Sequence, residues 1–114
     1  MSRAGFNRSD RVAALLRREV ASLVHHDVRD GLVPEMSVSD VEITRDLAHA
    51  TVYVTALNPD SAKPGILALN ERAKSYRQSL AKALALRHMP QLYFRYDDSV
   101  DRGERIDTLL RGLS

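Results

Sequence analysis

Apolar side chains in the first part of the chain recur with helical spacing. The repeating positions lie three or four residues apart and comprise Val12, Leu15, Leu16, Val20, Leu23 and Val24. This spacing predicts an amphipathic helix from Asp10 to Arg29 that buries one face. The Asp30-Gly31 pair is typical of a helix end, and Pro34 keeps the following chain out of the helix.

Two strands are predicted next, over Val38–Thr44 and His49–Leu57. The second strand alternates strictly, because its apolar positions on one face are Ala50, Val52, Val54 and Ala56. The first strand alternates imperfectly, since Val38 falls on the opposite face from Val41, and a bulge would explain this. The short segment between the strands predicts an antiparallel hairpin.

A helical pattern then runs from about Ala62 to Arg87, and Pro90 ends it. Ser75 is followed three residues later by Gln78, a capping-box spacing that allows the helix to break and restart there. An exposed serine inside one long helix is the alternative. Alternation over Gln91–Asp97 predicts a third strand, and Ser99 can cap a last helix that reaches about Leu110.

The predicted order α-β-β-α-α-β is that of a type II KH domain, an α+β fold. Its three-stranded sheet carries the helices on one face. KH domains usually clamp RNA with a Gly-x-x-Gly loop between paired helices. The five glycines are Gly5, Gly31, Gly65, Gly103 and Gly112, and none are three apart. A KH domain made from this chain would therefore contact RNA by another route, for instance through arginine and lysine side chains on its helices.

Composition narrows the class of protein. The chain has 114 residues and no cysteine, which excludes disulfides, thiolate chemistry and cysteine-based metal sites. No apolar run approaches the ~20 residues of a membrane helix, and the first residues lack the pattern of a signal peptide. We expect one domain over residues 1–114, with 1–9 flexible and 111–114 a tail. It is expected to be cytoplasmic and monomeric, with no membrane partner, cofactor or metal.

Charge is unevenly distributed, although the net charge is only +2. Residues 1–29 carry +3 and residues 62–96 carry +6, whereas residues 30–61 carry −5. Of the 17 basic residues 14 are arginine, the side chain best suited to bidentate phosphate contacts. A positive face attracts nucleic acid. A solvated helix surface is the other interpretation of the same charges.

Motifs for catalysis are absent. The sequence has no His-Glu-x-x-His, phosphate loop or nucleophile elbow, so we expect neither an enzyme nor a small-molecule substrate. Two alternatives remain open. The acids Asp40, Glu42 and Asp46 would let the hairpin recruit a basic protein partner. The acids Asp97, Asp98 and Asp101 would let a hydrolase hold a divalent ion, although a helix-capping turn explains them more simply.

Three separated blocks, in order, resemble the bacterial ribosome-binding factor A family. They are residues 11–13 (RVA), 41–55 (VEITRDLAHATVYVT) and 90–99 (PQLYFRYDDS), and the resemblance covers about 11–110. It implies a ribosome biogenesis factor that binds the immature small ribosomal subunit and its rRNA. It also implies help with maturation of the rRNA 5′ end, by binding and not catalysis.

The resemblance implies a KH-like fold with an Ala-x-Gly kink. The corresponding residues here are Ala73-Lys74-Ser75. Serine tolerates a positive φ poorly, so we expect Ser75 to keep the kink by capping the second helix. The residues implied to contact rRNA are Arg8, Arg11, Arg45, Arg72, Lys74, Ser75, Arg77, Lys82 and Arg87. For Arg45, a local ion pair with Asp46 is the alternative.

Overall fold

The computed structural model describes residues 8–98. Its elements are α1 (Arg8–Arg29), β1 (Met36–Ile43), β2 (His49–Ala56), a 3-10 turn (Pro59–Ser61), α2 (Ala62–Glu71), α3 (Ala73–Ala83) and β3 (Gln91–Tyr96). The predicted order α-β-β-α-α-β is confirmed. The helix α1 begins at Arg8, so Arg8 and Ser9 belong to the helix and not to the flexible segment expected over 1–9. The predicted last helix and the tail lie outside the described residues.

One sheet holds the three strands in the order β1-β2-β3. β1 and β2 form the predicted antiparallel hairpin, whereas β3 lies parallel to β2. A parallel neighbour requires a crossover, and the α2–α3 pair supplies it. The expected bulge is present: Val38 pairs with Val54 and Asp40 with Tyr53, so Ser39 is extra. This extra residue is why the apolar alternation of the first strand is broken in the sequence.

The core lies between the sheet and the helices on one of its faces. Alternate strand residues supply one side: Val41, Ala50, Val52, Val54, Leu92 and Phe94. The helices supply the other: Leu16, Val20, Val24, Leu69, Tyr76 and Leu80. The rings of Tyr76 and Phe94 meet edge to face with centroids 5.8 Å apart. Gly65 of α2 lies so close to Met36 that a Cβ atom would overlap its sulfur.

The break between α2 and α3 falls at Arg72, three residues before the predicted position. Arg72 has φ −97° and ψ 0°, and its N–H still reaches the carbonyls of Ala68 and Leu69 at 3.2 and 3.0 Å. Ser75 is exposed within the first turn of α3, and no side-chain hydrogen bond caps that helix. The prediction that Ser75 caps the restarted helix is therefore wrong. The break has no residue with a positive φ, because among residues 8–98 only Gly31 and Leu47 have a positive φ.

The helix α3 ends at Ala83, four residues earlier than the expected Arg87. Leu84 turns to extended backbone, with its N–H bonded to the carbonyl of Leu80 at 2.8 Å. Leu84 and Met89 both pack against the core. Because of this packing, residues 84–90 form a linker to β3. Arg87 and His88 in this linker are exposed.

Candidate nucleic-acid interface

The turn of the β1–β2 hairpin exposes Arg45. Its neighbour Asp46 organises the turn, because the carboxylate accepts hydrogen bonds from the Thr44 hydroxyl at 2.7 Å and the Ala48 N–H at 3.0 Å. These bonds hold the pKa of Asp46 below its ordinary value. Leu47 completes the turn with φ +63°, a left-handed conformation that costs a leucine energy.

Three of the predicted arginines meet at one cleft beside this turn. The cleft has a volume of about 460 Å³ and is lined by Arg8, Ser9, Arg45, Asp46, Leu47, Arg87 and His88. Arg8 comes from the first turn of α1, Arg45 from the hairpin and Arg87 from the linker after α3. Residues far apart in the chain therefore gather into one positive surface, which a sequence pattern alone does not reveal.

The three cleft arginines are available to a ligand. Among residues 8–98, the structure pairs none of them with a carboxylate within 4.0 Å. The alternative of an Arg45–Asp46 ion pair is therefore wrong, since Asp46 is engaged by Thr44 and Ala48. Guanidinium groups offer donors in a planar fork that matches phosphate oxygens. The cleft suits a polyanion.

The remaining exposed candidates lie outside this cleft. Lys74, Ser75 and Lys82 are exposed on α3, and Arg11 is exposed on α1. Arg11 borders a second, shallower depression of about 310 Å³ with Ala14, Leu15 and Arg18.

Two further observations on the described residues concern membrane-spanning helices and metal sites. Within residues 8–98, no helix is long and apolar enough to cross a membrane. The same residues assemble no group of three metal-ligating side chains. Of the acids considered for a metal site, Asp97 accepts a hydrogen bond from the Ser39 hydroxyl, and Asp101 lies outside the described part of the chain.

Comparison with known proteins identifies the family. The family model described as "Ribosome-binding factor A" matches residues 8–110. A protein of that name from Stenotrophomonas maltophilia is 56% identical over 108 residues, covering 95% of this chain and 85% of the relative. Another from Xanthomonas axonopodis pv. citri is 55% identical over 113 residues, covering 99% and 87%. The chain belongs to the ribosome-binding factor A family.

Solved structures named as ribosome-binding factor A share this fold. The crystal structure from Thermus thermophilus superposes with a TM-score of 0.68 at 22% identity, covering 79% of this chain and 97% of that one. A solution structure of a putative ribosome-binding factor A from Thermotoga maritima gives a TM-score of 0.58 at 29% identity, covering 80% and 91%. The α+β, KH-like fold expected from the sequence is confirmed.

In this member of the ribosome-binding factor A family, Arg72 is engaged inside the protein. Its Nε donates a hydrogen bond to Asp27 Oδ2 at 2.8 Å, and the Tyr76 hydroxyl donates to the same oxygen at 2.6 Å. We call Asp27, Arg72 and Tyr76 the Asp27 cluster. It joins the last turn of α1 to the α2–α3 break. The Arg72 Nε is therefore paired with a buried carboxylate, and the expectation that Arg72 meets rRNA phosphate stays a prediction.

The Asp27 cluster sets the protonation of its members. Burial raises the pKa of Asp27, but the hydrogen bonds from Tyr76 and Arg72 outweigh burial and hold the pKa below its ordinary value. Burial, followed by the hydrogen bond to Asp27, raises the pKa of Tyr76 well above its ordinary value. Asp27 is therefore ionised and Tyr76 neutral at physiological pH, so the Tyr76 hydroxyl donates to a carboxylate.

Arg77 has a structural role inside the protein, and its expected phosphate contact stays a prediction. Its Nε and Nη2 donate to the carbonyl of Met89 at 3.2 and 2.7 Å, and its Nε reaches the carbonyl of Pro90 at 3.1 Å. These bonds hold the linker after α3 against that helix. Arg77 is thus a positioning residue for Arg87 and His88, which the same linker carries into the cleft.

Sequence reasoning missed two residues that shape this surface. The first is His88, which lines the cleft, and its place directly after Arg87 in the sequence was the available signal. The second is Asp27, near the end of α1. Asp27 lies seven residues after Val20 and three after Val24, which places it on the buried face of α1. This position indicated a carboxylate that needs a partner.

Proposed function

We propose that this protein binds the immature small (30S) ribosomal subunit by holding rRNA phosphates in the cleft formed by Arg8, Arg45 and Arg87. Membership of the ribosome-binding factor A family supports a ribosomal target. A Thermus thermophilus relative is described as fitted into a cryo-EM map of a 30S complex; it shares the fold at a TM-score of 0.53 and 19% identity. The single observation that carries the proposal is the convergence of three guanidinium groups from separate elements on one cleft.

The proposed mechanism is binding without bond making. Arginines placed on a helix, a hairpin and a linker contact phosphates in a fixed relative geometry, so they favour the rRNA conformation that presents phosphates at matching positions. The protein then raises the population of that conformation by its differential affinity. Maturation of the rRNA 5′ end is assisted because the favoured conformation is the one that is processed. The protein acts in the cytoplasm as a monomer.

Co-sedimentation with immature small subunits over a series of salt concentrations tests this proposal. For phosphate contacts, the logarithm of the binding constant falls linearly with the logarithm of salt concentration. Three cleft contacts contribute a slope of roughly −2.1 to −2.7. The double variant Arg45→Ala/Arg87→Ala is expected to bind more weakly and to make the slope shallower by about 1.4 to 1.8.

A control with the same charge change lies elsewhere on the surface. Arg17 and Arg29 are exposed on α1 and do not line the cleft. The variant Arg17→Ala/Arg29→Ala is expected to keep most of the affinity and the slope. Equal losses in both double variants would mean that net charge, and not the cleft, determines binding.

A further inference from the structure

The face of the sheet opposite the core is a second surface with its own chemistry. All three described helices pack on the other face, and among residues 8–98 no helix covers this one. The side chains of Thr51 and Tyr53 on β2 and of Tyr93 and Arg95 on β3 lie on it, because they alternate with core residues. Tyr93 remains 46% exposed. We call this surface the open sheet face.

Contacts at their polar tips hold the two tyrosines of the open sheet face. The Tyr53 hydroxyl donates to Glu42 Oε1 at 2.9 Å. The Tyr93 hydroxyl lies 3.2 Å from His49 Nδ1, and the two rings are 5.6 Å apart. Tyrosine offers a large contact area with few rotatable bonds, and it is enriched with arginine at the energetic centres of protein interfaces. The face is preorganised for contact.

The acidic charge along the β1 side of this face favours a protein over a nucleic acid as the occupant, although Arg95 lies on the β3 side. Aromatic rings on an open sheet also stack with bases, but Asp40 and Glu42 are exposed along β1 at the margin of this face. No cation within the described part of the chain forms a salt bridge with either of them. These carboxylates repel phosphate and attract lysine or arginine side chains.

We propose that the open sheet face docks an extended protein segment rich in lysine and arginine. Tyr53 and Tyr93 pack against its aliphatic stems, and Asp40 and Glu42 pair with its charged groups. This inference rests on the proposed function, which brings the protein to a ribosomal particle. The docked segment then belongs to a protein of that particle. The cleft and the open sheet face then bind two different components of one target.

Reversing the acidic charges tests the proposal, because a protein partner and an RNA partner predict changes in affinity of opposite sign. The variant Asp40→Lys/Glu42→Lys replaces two negative charges with two positive ones, so an interface made only with RNA is expected to bind as well or more tightly. The proposal instead expects the affinity for small subunits to fall about fivefold or more, since two attractive contacts become repulsive. Unchanged or tighter binding overturns it. The control Glu35→Lys/Asp60→Lys makes the same charge change at two exposed positions outside the three strands and is expected not to weaken binding.

Photo-crosslinking identifies the occupant directly. The substitution Tyr93→p-benzoylphenylalanine places a photoreactive ring on the β3 side of the face, and adducts formed on purified small subunits are mapped by mass spectrometry. An adduct to a lysine- and arginine-rich protein segment, lost in the Asp40→Lys/Glu42→Lys background, supports the proposal. Adducts to rRNA, an internal adduct to residues 99–114, or no protein adduct overturn it. Failure of the unmodified protein to co-sediment would refute the proposed function instead.

Discussion

Replacing Asp27 by alanine is expected to destabilise the fold by about 3 kcal/mol. The side chain is only 12% exposed and its Oδ2 accepts both the Tyr76 hydroxyl and Arg72 Nε. Loss of the acceptor leaves a buried tyrosine hydroxyl unsatisfied, which costs roughly 1–3 kcal/mol, and removes bonds to a charged group worth roughly 1.5–3 kcal/mol. Arg72 is 35% exposed and can turn to water, so the total stays near the lower limit for breaking a buried ion pair.

Urea denaturation followed by far-UV circular dichroism measures this difference. Tyr76→Phe is the matched control, because it removes one donor and leaves the Asp27–Arg72 pair, and it is expected to cost about 1 kcal/mol. The two effects should fall short of additivity in the double variant, since both changes remove the same hydrogen bond. A cost below about 1 kcal/mol for Asp27→Ala would refute the inference that this carboxylate joins α1 to the α2–α3 break.

The contribution of Asp27 to the free energy of unfolding depends on pH in a defined direction. Its pKa is lower in the folded protein than in the unfolded chain, so its stabilising effect is fully present above the unfolded value of about 3.9 and is lost as the pH falls through the folded value. The difference in unfolding free energy between the wild type and Asp27→Asn should therefore narrow below about pH 4. A gap that widens with acidification would contradict this reasoning.

Two further variants test elements that position the cleft and protect the sheet. Asn70 binds the free edge of β3 through both Phe94 backbone groups at 2.8 and 3.0 Å, so Asn70→Ala is expected to lower stability by about 2 kcal/mol and to promote concentration-dependent association in analytical ultracentrifugation. Arg77→Lys keeps the charge but loses the fork that holds Met89 and Pro90, so it should weaken subunit binding like Arg77→Ala; full affinity in Arg77→Lys would mean that charge alone matters.

The order of elements was predictable because local patterns and core packing agree along most of the chain. Alternation placed Ala50, Val52 and Val54 on one face of a strand, and all three are buried. The disturbed alternation at Val38 correctly indicated a bulge. Such patterns are local, and each is set by the chain's own periodicity.

What the sequence could not predict depends on contacts between distant residues. The break at Arg72 is joined to Asp27, 45 residues away, and no capping pattern near Ser75 reveals that. The end of α3 at Ala83 depends on how the linker packs and on Arg77 binding its carbonyls. For the same reason, counting arginines predicted a positive surface but not which side chains are internally engaged.

Tethered cleavage of rRNA tests most directly whether the cleft of Arg8, Arg45 and Arg87 lies against the RNA. The chain contains no cysteine, so His88→Cys gives one attachment site for an iron–EDTA probe in the cleft, and Glu35→Cys gives an exposed control before β1, far from the hairpin turn. On assembled complexes with immature small subunits, the probe at position 88 is expected to cleave rRNA strongly and the probe at position 35 weakly or not at all. Cleavage from position 35 with none from position 88 would contradict the central claim.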